Sequence, residues 1–215
     1  MEISIMHRLS ETVLEYQEGL LTMTSACSEL DCLLSFAHAA RKQNYTRPTM
    51  TSENLLEIHQ GRHPLQELCS DTFIPNDTNL SNQGPRMILL TGANASGKSV
   101  YLKQVALIVF MAHIGSFVPA VSSTIGITDK ILTRLSTKES VSKQSSAFML
   151  DLQQTQRALL NATPHSLVLL DEFGKGTTST DGIGLFCAVM ESFASRDLSC
   201  PKLIAATHFH GTILY

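Results

Sequence analysis

Eight consecutive residues, Gly92-Ala93-Asn94-Ala95-Ser96-Gly97-Lys98-Ser99, concentrate the chemistry of this chain. They fit the spacing G-x-x-x-x-G-K-[ST], in which glycines let backbone N–H groups close around phosphate oxygens. In that arrangement Lys98 reaches the β/γ-phosphates and the Ser99 hydroxyl is offered to Mg²⁺. A Gly/Ser-rich turn without a ligand would match these fixed positions by chance on the order of a percent of the time or less. The pattern therefore implies a nucleoside-triphosphate site.

A second pair of groups lies downstream. Leu167-Val168-Leu169-Leu170-Asp171-Glu172 is an apolar strand ending in two carboxylates, where ligands of α/β sheets bind. Asp171 is placed to hold Mg²⁺, directly or through water. Glu172 is placed to polarise an attacking water. Alone, such a pair is more often a solvated strand end; after a phosphate loop it points to a hydrolase rather than a kinase. Ala206-Thr207-His208 closes a further apolar run. His208 has two readings, a group that senses or donates to the γ-phosphate and a surface histidine.

These groups need elements to position them. Met87–Thr91 reads as a strand before the loop, and Ser99 to about His113 as the helix after it. Helix dipole and free N–H groups then add to phosphate binding. Leu55–His59, Ile131–Arg134, Leu167–Leu170 and Lys202–Thr207 read as further strands, Phe148–Asn161 and Asp181–Ala194 as helices. Strand–helix alternation predicts an α/β domain around a largely parallel sheet. Before it, Met6, Leu9, Val13, Tyr16, Leu20, Met23, Cys27, Leu30, Leu34 and Ala37 recur at three- and four-residue spacing. That stripe predicts one long helix, interrupted only by a tolerated Gly19, packing against other helices or in a coiled coil. It would span on the order of 50 Å. The polar stretch Arg41–Pro48 marks the boundary, giving a helical segment 1–46 and an α/β domain 47–215.

Composition excludes other classes. The 215 residues carry 43% hydrophobic and 16% charged side chains, a compact protein rather than a disordered tail. A net charge of −3 gives no electrostatic footprint for nucleic acid. The five cysteines show no C-x-x-C pairing and are expected as buried thiols in a reducing compartment. Glu2, Arg8 and Glu11 argue against a secretory signal, and the apolar run Val105–Ala112 is too short to span a bilayer.

Several motifs in one order carry a family resemblance: Gly61-Arg62-His63-Pro64, Phe73-Ile74-Pro75-Asn76, Thr91 to Ser99, Gly115 to Ala120, Ser146-Ala147-Phe148-Met149, Asp171 to Thr177 and Ala206-Thr207-His208. Over roughly residues 50 to 210 the chain resembles the ATPase domain of the MutS DNA mismatch-repair family, a P-loop NTPase of the ABC type. Residues 61–69, 101–105 and 171–177 are most similar to its fifth eukaryotic, meiotic branch. The resemblance implies ATP and Mg²⁺ as ligands, ATP hydrolysis, and a nuclear heterodimer with a second MutS homologue, the fourth eukaryotic one. It implies action on recombination intermediates, with DNA bound through domains absent from this chain. It assigns Phe73 and Ile74 to the adenine, Asn94 to the phosphates, and Ser146 to the γ-phosphate held by the opposite subunit. Read from the residues alone, Phe73 would be core packing and Ser146 a helix N-cap before Phe148. The N-terminal helix then resembles the end of the family's lever helices. Ala93, Ser96 and Val100 depart from the family's Pro, Gly and Thr; none removes a phosphate-binding N–H or the Mg²⁺ hydroxyl, though Ala93 lacks proline's fixed φ.

Two other classes compete. A nucleotide-binding subunit of a membrane transporter would need Leu-Ser-Gly-Gly-Gln where this chain has Ser146-Ala147-Phe148-Met149. A non-catalytic nucleotide-binding or interaction module that has kept its motifs stays open. Against the resemblance, the ATPase domain is expected to be C-terminally incomplete, as a fragment or truncated gene model.

Overall fold

A computed structural model of the chain describes residues 2–70, 72–135, 144–175 and 177–209. The chain divides into two compact units, Met1–Asn44 and Tyr45–Tyr215. The first holds two helices, α1 (Glu2–Leu14) and α2 (Gln17–Gln43). The single helix expected from Met6 to Ala37 is thus broken, and not at Gly19, which lies inside α2. The interruption falls at Glu15–Tyr16, where Tyr16 takes φ −99° and ψ 9° and its N–H turns to the Val13 carbonyl at 3.1 Å. Four hydroxyls fold back onto the carbonyl one turn earlier, Ser10, Thr12, Thr22 and Thr24, a bond that competes with the helical ladder. Arg41 and Lys42 complement the dipole in the last turn, and Asn44 ends α2 in the left-handed conformation. The apolar stripe stays exposed, with Leu9, Val13, Leu20 and Leu34 at 43% or more.

The second unit contains two four-stranded sheets. One is wholly parallel, in the order β4 (Met87–Thr91), β8 (Lys202–Thr207), β7 (Leu167–Asp171), β6 (Ile131–Arg134). The other is mixed, in the order β1 (Thr49–Thr51), β5 (Ser122–Gly126), β2 (Leu55–Gly61), β3 (Asn76–Ser81). Strand–helix alternation does not predict this second sheet, and Leu55–His59 belongs to it, antiparallel to both neighbours. Strand β3 gives no strand signal because Asn, Asp and Ser dominate it, and β5 gives little because it opens on two serines and ends in Gly126; β2 between them supplies the ladder that holds them extended.

Helix α3 (Lys98–His113) lies between the sheets. Its Leu102, Val105, Ile108 and Val109 pack against Leu56, Ile58 and Leu80 on one side and Leu167, Leu169, Ile204 and Ala206 on the other. The opposite face of the parallel sheet, Val168, Leu170, Leu203 and Ala205, packs under α4 (Gln144–Asn161) and α5 (Ser179–Ala194) through Ala158, Phe186, Val189 and Phe193. Side chains alternate across a strand, so β7 and β8 need apolar residues at nearly every position, and all of their residues are buried. Each fully buried Leu or Ile contributes about 1.5–3 kcal/mol. Only Cys200 among the cysteines is buried; Cys27, Cys32 and Cys69 are exposed, against expectation, Cys27 because the stripe of α2 is uncovered.

Candidate nucleotide site

The parallel register brings the predicted groups to one edge. Thr91 at the end of β4 pairs with Thr207 at the end of β8, and Ala206 pairs with Asp171 at the end of β7. The phosphate loop, His208 and the two carboxylates therefore leave the sheet side by side, with β8 in the middle.

The loop itself is shaped by backbone. Gly97 has φ +94°, with open space around the position of a Cβ, so conformation and not crowding is what glycine supplies there. Ala95 shares the left-handed region at φ +59°. The first helical bond runs from the Tyr101 N–H to the Gly97 carbonyl at 2.9 Å, so Lys98, Ser99 and Val100 have no helical acceptor for theirs. Those N–H groups and the helix dipole make the mouth of the loop an anion site. The Lys98 ammonium donates to the Gly92 and Ala93 carbonyls at 2.8 and 2.7 Å, which stations a positive charge over the loop. Tyr101, one turn into α3, ties the loop helix to the other sheet: its hydroxyl meets Thr78 Oγ1 at 2.8 Å and donates to the Asp77 carbonyl at 3.2 Å.

Asp171 is 2% exposed and its Oδ1 has no hydrogen-bond partner among the described residues. A buried, unpaired carboxylate oxygen is costly unless a cation or donor completes it. Such an oxygen, and a hydroxyl such as that of Ser99 on α3, are hard donors of the kind Mg²⁺ takes, so the chemistry of these residues fits the ion. Glu172, the next residue, is held at φ +52°, a strained backbone for a side chain of its size, and its N–H bonds the Ala206 carbonyl at 2.9 Å. Its Oε2 accepts from Lys175 at 2.9 Å and its Oε1 from His208 Nε2. Partial burial alone would raise the Glu172 carboxyl; the hydrogen bonds from Lys175 and His208, with their charge, outweigh it and hold it below its ordinary range. The carboxyl is therefore ionised at neutral pH. Phe209 anchors the segment after His208 edge-on against Phe186 of α5, centroids 6.5 Å apart. Asn94, Glu172, Lys175, Thr207, His208 and Phe209 enclose a pocket of about 200 Å³.

The loop after Glu172 is braced from behind. Gly174 has φ +92°, and a Cβ there would lie 2.7 Å from the Gly182 carbonyl of α5, so two glycines let loop and helix backbones touch. Thr178 caps α5, accepting from the Asp181 N–H at 3.3 Å.

A family model described as MutS domain V matches residues 88–213. The chain belongs to the MutS family. Domain V is the P-loop ATPase domain of MutS proteins, and the matched residues include every group described at this sheet edge. The chain is 46% identical over 222 residues to MutS protein homolog 5 of Saccharomyces cerevisiae, covering 97% of this chain and 24% of that protein. It is 43% identical over 210 residues to DNA mismatch repair protein MutS of Protochlamydia amoebophila, covering 97% and 24%. The MutS protein of Carboxydothermus hydrogenoformans is 41% identical over 212 residues, covering 98% and 25%. The chain thus spans about a quarter of the length of the curated MutS relatives it matches.

Not every residue assigned through the MutS resemblance joins the pocket. Phe73 is half-buried and Ile74 is 80% exposed, in the segment leading into β3, and neither lines it. Ser146 lies within the first turn of α4, which begins at Gln144 and not at Phe148, so its backbone is already helical and the N-cap reading is overturned; its side chain is outside the described atoms. Gly176 of the Asp171–Thr177 motif lies outside the described residues. Two residues at the site escape sequence reasoning, Lys175, which bonds Glu172, and Arg134, which donates to the Asp171 backbone carbonyl. Lys175 has a local signal, a cation three residues past Glu172 in a glycine turn. Arg134 has none beyond its place at a strand end.

Proposed function

We propose that this chain binds ATP with Mg²⁺ and hydrolyses it to ADP and phosphate, as the ATPase module of a MutS protein of the meiotic branch. The observation that carries the reading is the single sheet edge shared by the phosphate loop, the unpaired buried oxygen of Asp171 and the Glu172–His208 pair. Backbone N–H groups of the loop and Lys98 hold the triphosphate; Phe73 and Ile74 receive the adenine. Ser99 and Asp171 hold Mg²⁺, which when bound neutralises charge on the β- and γ-phosphate oxygens. Glu172 stays ionised under Lys175 and His208 and orients the attacking water, using the lone pairs those partners leave on its oxygens. His208 then stands beside the γ-phosphate. Similarity to MutS protein homolog 5 and the motif set support assignment to a nuclear heterodimer with the fourth MutS homologue, acting on recombination intermediates. DNA would be gripped by other domains of the whole protein, since this chain carries a net charge of −3. Among the described residues no helix is long and apolar enough to cross a membrane.

Calorimetry on the 215-residue chain with and without Mg²⁺ tests binding. Glu172→Gln should keep ATP affinity and slow turnover by roughly 10²–10⁴-fold, whereas Lys98→Ala should weaken binding itself. Equal loss of binding in both variants would sink the role assignment. Failure of the unaltered chain to bind ATP would favour a non-catalytic interaction module.

A further inference from the structure

Arg134, the last residue of β6, is 6% exposed and belongs to no recognised nucleotide motif. Its guanidinium makes two contacts on different elements: Nη1 donates to the Asp171 backbone carbonyl at the end of β7 and Nη2 to Asp151 Oδ2 on α4. Nε is buried without a partner among the described residues. Stability is a poor explanation, because a buried ion pair commonly gains little over apolar side chains of the same volume. A planar fork of donors does fix direction, which an apolar side chain cannot do.

What the fork holds is informative. The Asp171 carbonyl belongs to the peptide plane that joins Asp171 to Glu172, the plane on which both carboxylates turn. Glu172 sits at φ +52°, a conformation that persists only where its surroundings impose it. The other prong holds Asp151, five residues and about 7.5 Å along α4 from Ser146. Resting on the ATPase reading above, we propose that Arg134 is a positioning residue that locks α4, through Asp151 two turns into the helix, to the Asp171–Glu172 peptide. A displacement of α4 by whatever meets its first turn is thereby converted into a rotation of the carboxylates. Arg134 touches neither nucleotide nor ion; it sets the angle at which others do.

The test uses Arg134→Lys, Arg134→Met and Asp151→Asn in the full chain, alone and in its dimeric assembly, beside Glu172→Gln. Asp151→Asn keeps shape and is the mildest; should Arg134→Met not fold, the other two variants decide the question. Folded variants should bind ATP–Mg²⁺ with Kd within about threefold and lose about tenfold or more in kcat at unchanged KM, the mark of misplacement. Arg134→Lys, keeping charge and one contact, should fall between. Asp151→Asn should add nothing to Arg134→Met. With Mn²⁺ in place of Mg²⁺, its EPR spectrum in the ATP complex should change in the Asp151 variant although Asp151 is no ligand. Unchanged kcat in folded Asp151→Asn and Arg134→Lys, or Kd rising as far as kcat falls, would overturn the proposal. If Glu172→Gln is slow while the Asp151 and Arg134 variants match the unaltered chain, only the positioning role fails. If Glu172→Gln has no effect, the hydrolysis reading fails instead.

Discussion

At the scale of single residues, Glu172 shows how environment selects among roles that sequence leaves equal. Asp171 and Glu172 are adjacent carboxylates, yet one is buried with an oxygen unpaired among the described residues and the other accepts hydrogen bonds from Lys175 and His208. Removing Lys175 takes away one hydrogen bond and one positive charge that hold the Glu172 carboxyl low. Lys175→Ala should therefore move the acid limb of the pH–rate profile to higher pH, since turnover needs the ionised carboxylate; above that limb turnover should change far less. A pH series of single-turnover rates reads this directly, and an unmoved or lowered limb would contradict the assignment. The same group also links folding to acidity. Its folded-state pKa lies below the unfolded value, so its contribution to stability is present above the ordinary carboxylate range and is lost as pH falls through the folded value. Much of this residue scale is legible in the sequence. Gly92 to Ser99 is a local motif whose spacing states its own geometry, and Asp171-Glu172 follows a strand that could only be buried. Arg134 is not legible, because a lone arginine at a strand end looks solvated until α4 is folded over it.

At the scale of elements, β8 carries opposite demands at its two ends. Its last residues reach the nucleotide site, while its first, Lys202, is 2% exposed and donates to Asn54 Oδ1 at 2.6 Å. Asn54 in turn donates to the Pro164 carbonyl at 2.7 Å, so this amine ties the turn before β2 to the parallel sheet. Burial pushes the Lys202 amine down to about 8, with Asp129 opposing that shift and Arg86 reinforcing it. The folded value lies below the unfolded 10.5, so the cost of burying the charge is fully present below pH 8 and disappears as pH rises through that interval. Stability should rise by on the order of 3 kcal/mol between pH 8 and 10.5 from this group alone. Lys202→Met should flatten that slope in urea titrations run at successive pH; an identical slope in both proteins would refute it. Element boundaries show what one-dimensional patterns miss. Strand β3, Asn76-Asp77-Thr78-Asn79-Leu80-Ser81, buries only Thr78 and Leu80 and becomes a strand because β2 lies beside it. The break at Glu15–Tyr16 carries no Gly or Pro, whereas Gly19, the residue that looks like a breaker, is accommodated inside a helix.

At the scale of the whole molecule, the α/β class follows from alternation and the site's place at the strand ends from the motifs that follow those strands, but the second sheet and the uncovered stripe follow from neither. Apolar residues at helical spacing predict a buried face; whether the covering partner is present is information the spacing does not contain. The same holds for Ser146, whose assignment comes from the family and whose position in α4 leaves its partner to the assembly. In the proposed heterodimer, Ser146→Ala should impair hydrolysis at the partner's site more than at its own by roughly tenfold, in line with the loss of one donor to developing charge. Site-resolved crosslinking of labelled ATP separates the two sites. A defect confined to the subunit that carries the change would refute action in trans.

The position of β8 in the parallel sheet has a consequence for how the protein is made. Among the described strands chain order puts β8 last, yet space puts it second, between β4 and β7. A ribosome delivering the chain from its N-terminus presents β4, β6 and β7 before the strand that joins them, leaving open the ladder edges of β4 and β7 that β8 pairs. Such edges are templates for pairing with other chains. Nascent chains arrested before Lys202 should accordingly be protease-sensitive and prone to associate, and should acquire protection in one step once Thr207 has cleared the exit tunnel.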